Sequence, residues 1–242
     1  MEVVKPYKSS NLSKKEQVCF MFNTIADRYD KLNRIITFGI DILWRKKALE
    51  LLKNENPQKI IDIATGTGDF AILAAKILKP KEIIGIDIAD KMLKIGREKI
   101  KTRNLNTIIR LEMGDSENIA YPDNYFDAAI VAYGVRNFEN LEKGLKEIHR
   151  VLKKGGKFII LEATTPKNKV INFLFTLYFK KIVPIIGKLI SKDKSAYQYL
   201  PESVSNFPQG NQFLTILTNS GYKNAQMLSL TMGASTIYFC YK

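Results

Sequence analysis

Apolar and polar positions follow a helical period in the first part of the chain and then change to short apolar runs. Phe22, Ile25 and Tyr29 are spaced as one face of a helix, which predicts helical structure over residues 14–52. Beyond a turn at residues 54–57, short apolar runs alternate with amphipathic segments. This alternation is typical of strands that are separated by helices.

The predicted strands and helices follow one another as in a doubly wound α/β fold. The strands cover residues 59–63, 82–86, 108–112, 126–132 and 157–162, and the helices between them cover residues 69–78, 91–102 and 140–152. Such alternation predicts a mainly parallel sheet with helices on both faces. The pattern predicts a last helix over residues 211–220 and an antiparallel hairpin over residues 225–231 and 235–241. Ligands of such sheets bind at the carboxyl ends of the strands.

Composition and charge narrow the class of protein. The 242 residues, 45% of them hydrophobic, suffice for one α/β domain with a buried core. Cys19 and Cys240 fit neither a metal-ligand spacing nor a disulfide framework. The chain opens without an apolar leader and has no apolar run long enough to cross a membrane, so we expect a cytoplasmic protein. The net charge of +14 favours an anionic partner or reflects a general compositional bias.

The first predicted strand leads into a glycine-rich loop. The motif Gly66-x-Gly68-x-x-Ala71 stands between this strand and the helix that follows. Glycines at such positions allow a tight turn and a close approach of a ligand to the backbone. The helix N-terminus adds free N–H donors, which favour an anionic group. A phosphate and an amino-acid carboxylate would both satisfy this loop.

Three acidic residues near the ends of successive strands distinguish between these ligands. Asp62 precedes the glycines and could face an ammonium group, while Asp87 ends the second strand, where a carboxylate accepts ribose hydroxyls. Asp115 follows the third strand and could accept a hydrogen bond from an adenine amino group. S-adenosylmethionine contains an amino acid, a ribose and an adenine, so we expect it as the cofactor. The alternative interpretation is that the glycines only form a turn and that the three acidic side chains are solvated.

Four further segments have a distinctive pattern. They are Tyr29-Asp30-x-x-Asn33 with Thr37, Gly39 and Trp44; Tyr133-Gly134-Val135-Arg136-Asn137; residues 150–164 with Gly155, Gly156 and Glu162; and Ser195-Ala196-Tyr197-Gln198-Tyr199-Leu200 with Glu202 and Ser203. In these segments the chain resembles the ubiquinone/menaquinone biosynthesis C-methyltransferases, which include the demethylmenaquinone methyltransferases. The resemblance runs over about residues 20–235. Asp41 stands where this family has a histidine.

The resemblance implies a class I methyltransferase fold and methyl transfer from S-adenosylmethionine to a ring carbon of demethylmenaquinol, or of the benzoquinol precursor of ubiquinol. The residues expected to contact the cofactor are Asp62, Gly66, Thr67, Gly68, Asp87, Asp115 and Ser116. The reaction requires no metal, and the chain lacks an added basic, aromatic-rich module for nucleic acid. The alternatives are methylation of another small molecule or of RNA, and a non-catalytic lipid- or nucleotide-binding protein.

Methylation of a phenolic ring carbon needs help with deprotonation, because unperturbed phenols have pKa values of about 10. Arg136 and Asn137 follow the fourth strand and could stabilise the phenolate. Glu162 ends the fifth strand and could act as the base if its pKa is raised. The alternative roles are structural: Arg136 in an ion pair with Glu139 or Glu142, and Glu162 in a pair with Arg136.

The segment after the fifth strand is predicted to hold the substrate. Residues 170–190 are the most apolar stretch of the chain, and lysines interrupt it. This pattern favours a helix that encloses a polyprenyl quinol or contacts an anionic membrane surface. The alternative is a helix of the protein core. Tyr197 and Tyr199 could face the substrate ring or belong to the core. We expect one domain, and the sequence is compatible with a homodimer. Its parts are a helical lid (1–52), a cofactor-binding core (53–165), an apolar helical insertion (166–210) and a C-terminal helix with the hairpin (211–242).

Overall fold

The computed structural model describes residues 4–183 and 194–242. Its helices are α1 (Lys14–Ile36), α2 (Ile40–Glu50), α3 (Asp69–Leu78), α4 (Asp90–Thr102), α5 (Leu141–Val151), α6 (Lys169–Leu177), α7 (Lys194–Asn206) and α8 (Asn211–Asn219). Its strands are β1 (Lys59–Ile63), β2 (Glu82–Asp87), β3 (Ile109–Met113), β4 (Phe126–Ala132), β5 (Leu152–Ala163), β6 (Lys223–Leu230) and β7 (Ser235–Tyr241).

The described strands form one seven-stranded sheet with the order β3-β2-β1-β4-β5-β7-β6. Strands β1 to β5 are parallel, and β7 is antiparallel to both β5 and β6. The predicted doubly wound, mainly parallel sheet with a terminal antiparallel hairpin is therefore confirmed. The strand order runs outward from β1 to β3 on one side and from β4 to β5 on the other. The carboxyl ends of β1 and β4 therefore lie side by side at the point where the order reverses, which is where sheets of this kind bind ligands.

Successive residues of the central strands face opposite sides of the sheet and pack in two separate cores. Ile61 belongs to the core that includes Leu145 of α5 and Phe213 of α8. Ile60 belongs to the opposite core, which includes Phe70 of α3. Because both faces are covered, the parallel strands consist of nearly continuous apolar runs instead of an alternating pattern.

The last strand of the chain lies inside the sheet instead of at its edge. Ile237 and Tyr238 of β7 are fully buried, whereas Gln226 and Met227 of β6 are exposed. A strand that is apolar along its whole length is more stable between two neighbouring strands, whereas a strand with polar positions can lie at the solvent-exposed edge of the sheet. The hairpin therefore folds back so that β7 pairs with β5.

The predicted helical region 14–52 is helical but consists of two helices, because the main chain turns at Gly39 with φ 75° and α2 begins immediately after it. The predicted start of the fifth strand was wrong. This strand begins at Leu152 instead of residue 157, because Leu152 already pairs with Phe126 before a shift in register. Gly155 and Gly156, which separate the predicted helix from the predicted strand, lie within the irregular start of β5.

The apolar segment after β5 is described only in part, because residues 184–190 of the predicted stretch lie outside the described residues. Helix α6 has no buried residue, and its side chains Phe173 and Leu174 are largely exposed. A π-helical turn, Tyr178–Ile182, follows it. The described part of the segment is thus not a core helix. Within residues 4–183 and 194–242, no helix has the length and hydropathy that crossing a bilayer requires.

Candidate active site

The loop between β1 and α3 depends on the backbone conformation of its two glycines. Gly66 and Gly68 have φ values of 57° and 76°, in the left-handed region that favours glycine. A Cβ on Gly68 would meet Leu111 of β3 at 3.4 Å, and one on Gly66 would meet Met92 at 3.9 Å, both ordinary contacts. The positive φ values, and not a lack of space, therefore favour glycine at both positions. Gly66 faces a cavity.

Asp87, at the end of β2, fixes the position of this loop. Its Oδ2 accepts a hydrogen bond of 2.8 Å from the Gly66 N–H, and its Oδ1 accepts one of 2.9 Å from the Ala89 N–H. Burial raises the pKa of the Asp87 carboxyl, and the two N–H donors counteract this shift. The carboxylate lies at the cavity, where its remaining lone pairs can accept hydroxyl donors.

A cavity at the carboxyl ends of β1 to β4, the cofactor cavity, brings most of the predicted cofactor residues together. The predicted cofactor residues that line it are Gly66, Asp87, Asp115 and Ser116. Asn137, which was predicted as a catalytic residue, lines it as well. Helix α1 covers it through Lys15, Val18, Phe22 and Tyr29. The Nζ of Lys15 lies 2.7 Å from Asp115 Oδ2. Four strand ends and a covering helix therefore meet around one cavity, whose volume is about 70 Å³ with α1 in this position.

Asp62, Thr67 and Gly68 are in the loop region but do not line the cofactor cavity. Asp62 Oδ2 accepts hydrogen bonds from Thr65 Oγ1 at 2.6 Å and from the Ala71 N–H at 3.1 Å. Burial raises the pKa of Asp62 to about 7, although these two donors counteract the shift. The Thr67 hydroxyl donates to Asp30 at 2.6 Å, behind the loop.

A second cavity, the apolar cavity, lies between α1, α2, the π-helical turn and α7. Its volume is about 280 Å³, close to the lower end of the roughly 300–1,000 Å³ of ligand pockets. Phe22, Tyr29 and Tyr133 line both this cavity and the cofactor cavity. A ligand in the apolar cavity would therefore lie next to a ligand in the cofactor cavity.

Arg136 presents a buried guanidinium to the apolar cavity. Its Nη1 donates to Glu162 Oε1 and to the Tyr133 carbonyl oxygen, both at 2.6 Å. Glu162 is fully buried, also accepts from the Ala163 N–H at 2.9 Å, and lines neither cavity. Of the two alternative structural pairings, the structure has the one between Arg136 and Glu162.

Asn137 and Tyr199 connect the two cavities. The Tyr199 hydroxyl donates to Asn137 Oδ1 at 3.0 Å. Asn137 lines the cofactor cavity and Tyr199 lines the apolar one. Burial raises the pKa of Tyr199 to about 12, so its hydroxyl is neutral near pH 7. The side chain of Tyr197, the other predicted substrate tyrosine, lies outside the described residues.

Comparison with known proteins decides the family. The sequence profile of the ubiE/COQ5 methyltransferase family matches residues 10–242. The chain belongs to the ubiE/COQ5 methyltransferase family. A demethylmenaquinone methyltransferase of Bacteroides fragilis is 47% identical over 241 residues, which are 100% of this chain and 98% of that protein. A ubiquinone/menaquinone biosynthesis C-methyltransferase of Geotalea daltonii is 42% identical over 226 residues, 93% of this chain and 96% of the relative.

Solved structures agree on the fold. A SAM-dependent methyltransferase from Thermotoga maritima has a TM-score of 0.63 at 19% identity and covers 92% of this chain and 99% of its own. One from Aquifex aeolicus has a TM-score of 0.63 at 17% identity, with 87% and 96% covered. The chain is therefore an S-adenosylmethionine-dependent methyltransferase of class I fold. The carboxylates of Asp87 and Asp115 at the cofactor cavity fit the ribose and the adenine of this cofactor.

Three features of this methyltransferase's site were not predicted. Tyr133 has φ 60°, a strained conformation that places its ring between the cavities. Lys15 is one of 38 lysines and arginines, so no sequence signal distinguished it. Asp41 is buried and accepts hydrogen bonds from Arg34 and Arg45. Its difference from the family histidine was the signal that could have identified this charge cluster.

Proposed function

We propose that the protein methylates a ring carbon of demethylmenaquinol to give menaquinol. The observation that carries the proposal is the apolar cavity, which shares a wall with the cofactor cavity and contains the buried guanidinium of Arg136. An aromatic, apolar acceptor fits such a cavity, and a phenolate fits the guanidinium. Relatives that are 36–47% identical over the whole chain carry the name demethylmenaquinone methyltransferase, which supports a naphthoquinol over a benzoquinol.

Each proposed cofactor contact has a separate chemical reason. Main-chain N–H groups near Gly66 suit the amino-acid carboxylate, and Asp62, which does not line the cofactor cavity, suits the ammonium group through water. Asp87 would accept hydrogen bonds from the ribose hydroxyls, and Asp115 with Ser116 would accept a hydrogen bond from the adenine amino group. For Thr67 and Gly68 we propose support of the loop, because both side-chain positions point away from the cofactor cavity.

When bound, S-adenosylmethionine supplies an electrophilic methyl group on its sulfonium. Arg136 stabilises the phenolate that forms when the quinol hydroxyl loses its proton to water, and electron density then rises at the neighbouring ring carbon. The bound cofactor would supply its methyl group to that carbon, and the hydrogen that the carbon carried would leave as a proton to water. Asn137 and Tyr199 orient the ring across the boundary of the two cavities.

Glu162 acts as a positioning residue in this proposal. Both of its oxygens accept hydrogen bonds from Arg136, one from the guanidinium at 2.6 Å and one from the N–H at 3.4 Å. A carboxylate with these partners and no exposure holds the guanidinium in place but has no access to a ring hydroxyl. The base role predicted from the sequence is therefore the less favoured assignment.

Methyl transfer from radiolabelled cofactor to a short-chain demethylmenaquinol tests the function. The wild-type protein is expected to methylate it, and to use the corresponding benzoquinol less well. Arg136→Met should lower kcat by about 100- to 1,000-fold, because it removes a preorganised electrostatic contact. Arg103→Met, at an exposed position, serves as the matched control. Methylation of RNA in place of either quinol would contradict the proposal.

We also propose that the mouth of the apolar cavity contacts an anionic membrane surface. Phe38, which lines the cavity, is 78% exposed, and Phe173 and Leu174 of α6 are 68% and 58% exposed. Lys167 and Lys169 precede Phe173 and Leu174 by four to seven positions in the sequence. An apolar edge with lysines beside it favours the interface of an anionic bilayer, in which a polyprenyl chain is dissolved.

Co-sedimentation with vesicles tests this contact. The protein is expected to bind vesicles that contain anionic lipid at low salt and to dissociate at high salt, since the lysine contribution is screened. Replacing both Phe173 and Leu174 by serine should weaken binding, whereas Leu12→Ser, at another exposed apolar position, should not. Equal binding to neutral vesicles would contradict the role of the lysines.

A further inference from the structure

Two arginine side chains in the apolar cavity have a buried N–H group without a partner. Within the described part of the chain, the buried side-chain nitrogen and oxygen atoms that lack a hydrogen-bond partner are Nε of Arg45 and Nε of Arg136. Both residues line the apolar cavity. A buried donor without an acceptor is unfavourable, and it is retained in a functional site when a ligand supplies the acceptor.

Arg45 is held rigidly, so its free Nε has a fixed direction. Its Nη1 donates to Asp41 Oδ2, and Asp41 is fixed in turn by Arg34 and by the Thr37 hydroxyl at 2.9 Å. The guanidinium carbon lies 5.4 Å from the ring centroid of Tyr133. This contact uses the face of the guanidinium, so it does not satisfy the in-plane Nε–H.

The two arginines differ in what their sequence neighbours line. Gly134 and Asn137, which lie within two residues of Arg136, line the cofactor cavity. No residue of α2, which carries Arg45, lines that cavity. Tyr133 contacts both guanidinium groups, because its carbonyl oxygen accepts a hydrogen bond from Arg136 and its ring packs against Arg45. Arg136 is thus next to residues that line the cofactor cavity, whereas Arg45 reaches the apolar cavity from a helix that has no residue at the cofactor cavity.

We propose that Arg45 binds the second oxygen of the quinol, the one farther from the carbon that is methylated. This inference rests on the proposed function, in which Arg136 holds the oxygen next to that carbon. A para-diol then meets one N–H donor at each end of the ring. Two fixed oxygens prevent rotation of the ring about a single contact, so one carbon faces the methyl group. Arg45 is therefore a substrate-binding residue that positions the ring for reaction at that carbon.

A comparison of two acceptors tests Arg45. One is the short-chain demethylmenaquinol, and the other is the same molecule without the hydroxyl farther from the acceptor carbon. Arg45→Met should lower kcat/KM for the diol by about 10- to 100-fold, because a buried hydrogen bond to a charged donor is lost. It should leave kcat/KM for the mono-hydroxy acceptor unchanged. Dividing the ratio between the two acceptors in the variant by the same ratio in the wild type cancels their difference in intrinsic reactivity.

Lys46→Met is the matched control, because Lys46 is the exposed neighbour of Arg45 on the same helix. It should preserve the wild-type ratio between the two acceptors. Arg45→Lys keeps the charge and removes the planar donor, so it should also lose discrimination, even if Arg45→Met does not fold. Equal losses for both acceptors in the Arg45 variants would overturn the inference. A wild-type protein that methylates neither acceptor would overturn the proposed function instead.

Discussion

At the scale of single residues, burial determines the protonation of Asp62. Its desolvation raises the pKa of the carboxyl to about 7, against the effect of its two hydrogen-bond donors. A pKa that is higher in the folded than in the unfolded chain contributes stability below the unfolded value, and this contribution is lost as the pH rises through about 7. Asp62 therefore stabilises the free protein only while it is protonated. A nearby ammonium group reverses this preference, because it favours the carboxylate.

Cofactor binding is accordingly expected to tighten as the pH rises from 6 to 8. Asp62 becomes the carboxylate that the ammonium group of the cofactor prefers, and binding releases a proton near pH 7. Calorimetry in buffers of different ionisation enthalpy measures this proton release. Asp62→Asn should remove most of the pH dependence, whereas a variant as pH-dependent as the wild type would assign the proton to another group, such as Asp87.

At the scale of elements, α4 approaches the cofactor loop at Gly96. A Cβ on this residue would lie 3.1 Å from the main-chain carbonyl group of Thr67, which cannot rotate away. Extra volume in a packed contact costs about 1–3 kcal/mol, and alanine gains only about 1 kcal/mol over glycine in a helix. The close approach of α4, and not helix propensity, therefore determines which residue fits here.

Gly96→Ala is expected to lower the free energy of unfolding by up to about 2 kcal/mol and to weaken cofactor binding, because the loop must shift. Urea unfolding and cofactor titration measure the two effects. Lys94→Ala on the exposed side of the same helix is the control, and its stability should be unchanged or slightly higher. An increase in stability for Gly96→Ala would show that α4 can move away from the loop.

At the scale of the whole molecule, the cofactor cavity connects four strand ends to α1, so ligand binding should stabilise the fold. A cofactor concentration of about 100 times Kd contributes about 2.7 kcal/mol. For a chain of this size, that contribution raises Tm by roughly 5–10 °C. Asp87→Ala should abolish most of this shift, because it removes both the ribose acceptor and the anchor of the Gly66 N–H. A full shift in this variant would contradict the proposed cofactor contacts.

Much of the fold could be predicted from local sequence signals. Apolar runs such as Ile60-Ile61 become buried strands in any packing, and the glycines that follow them permit only a tight turn. The start of the fifth strand was predicted wrongly, because it depends on the pairing of β5 with β4 and has no local signal. Gly39, with φ 75°, marks the point at which the predicted helical region divides into α1 and α2.

The sequence by itself determined the parallel α/β sheet, the glycine loop and the acidic residues at the strand ends, because these depend on neighbours a few positions apart. The tertiary structure decided which of these residues face a ligand. It turned Thr67 away from the cofactor cavity and paired Arg136 with Glu162. It also brought Arg45 into the apolar cavity together with Arg136, which follows it by more than 80 positions in the chain. Such contacts depend on distances through space between elements, and no local pattern of residues encodes them.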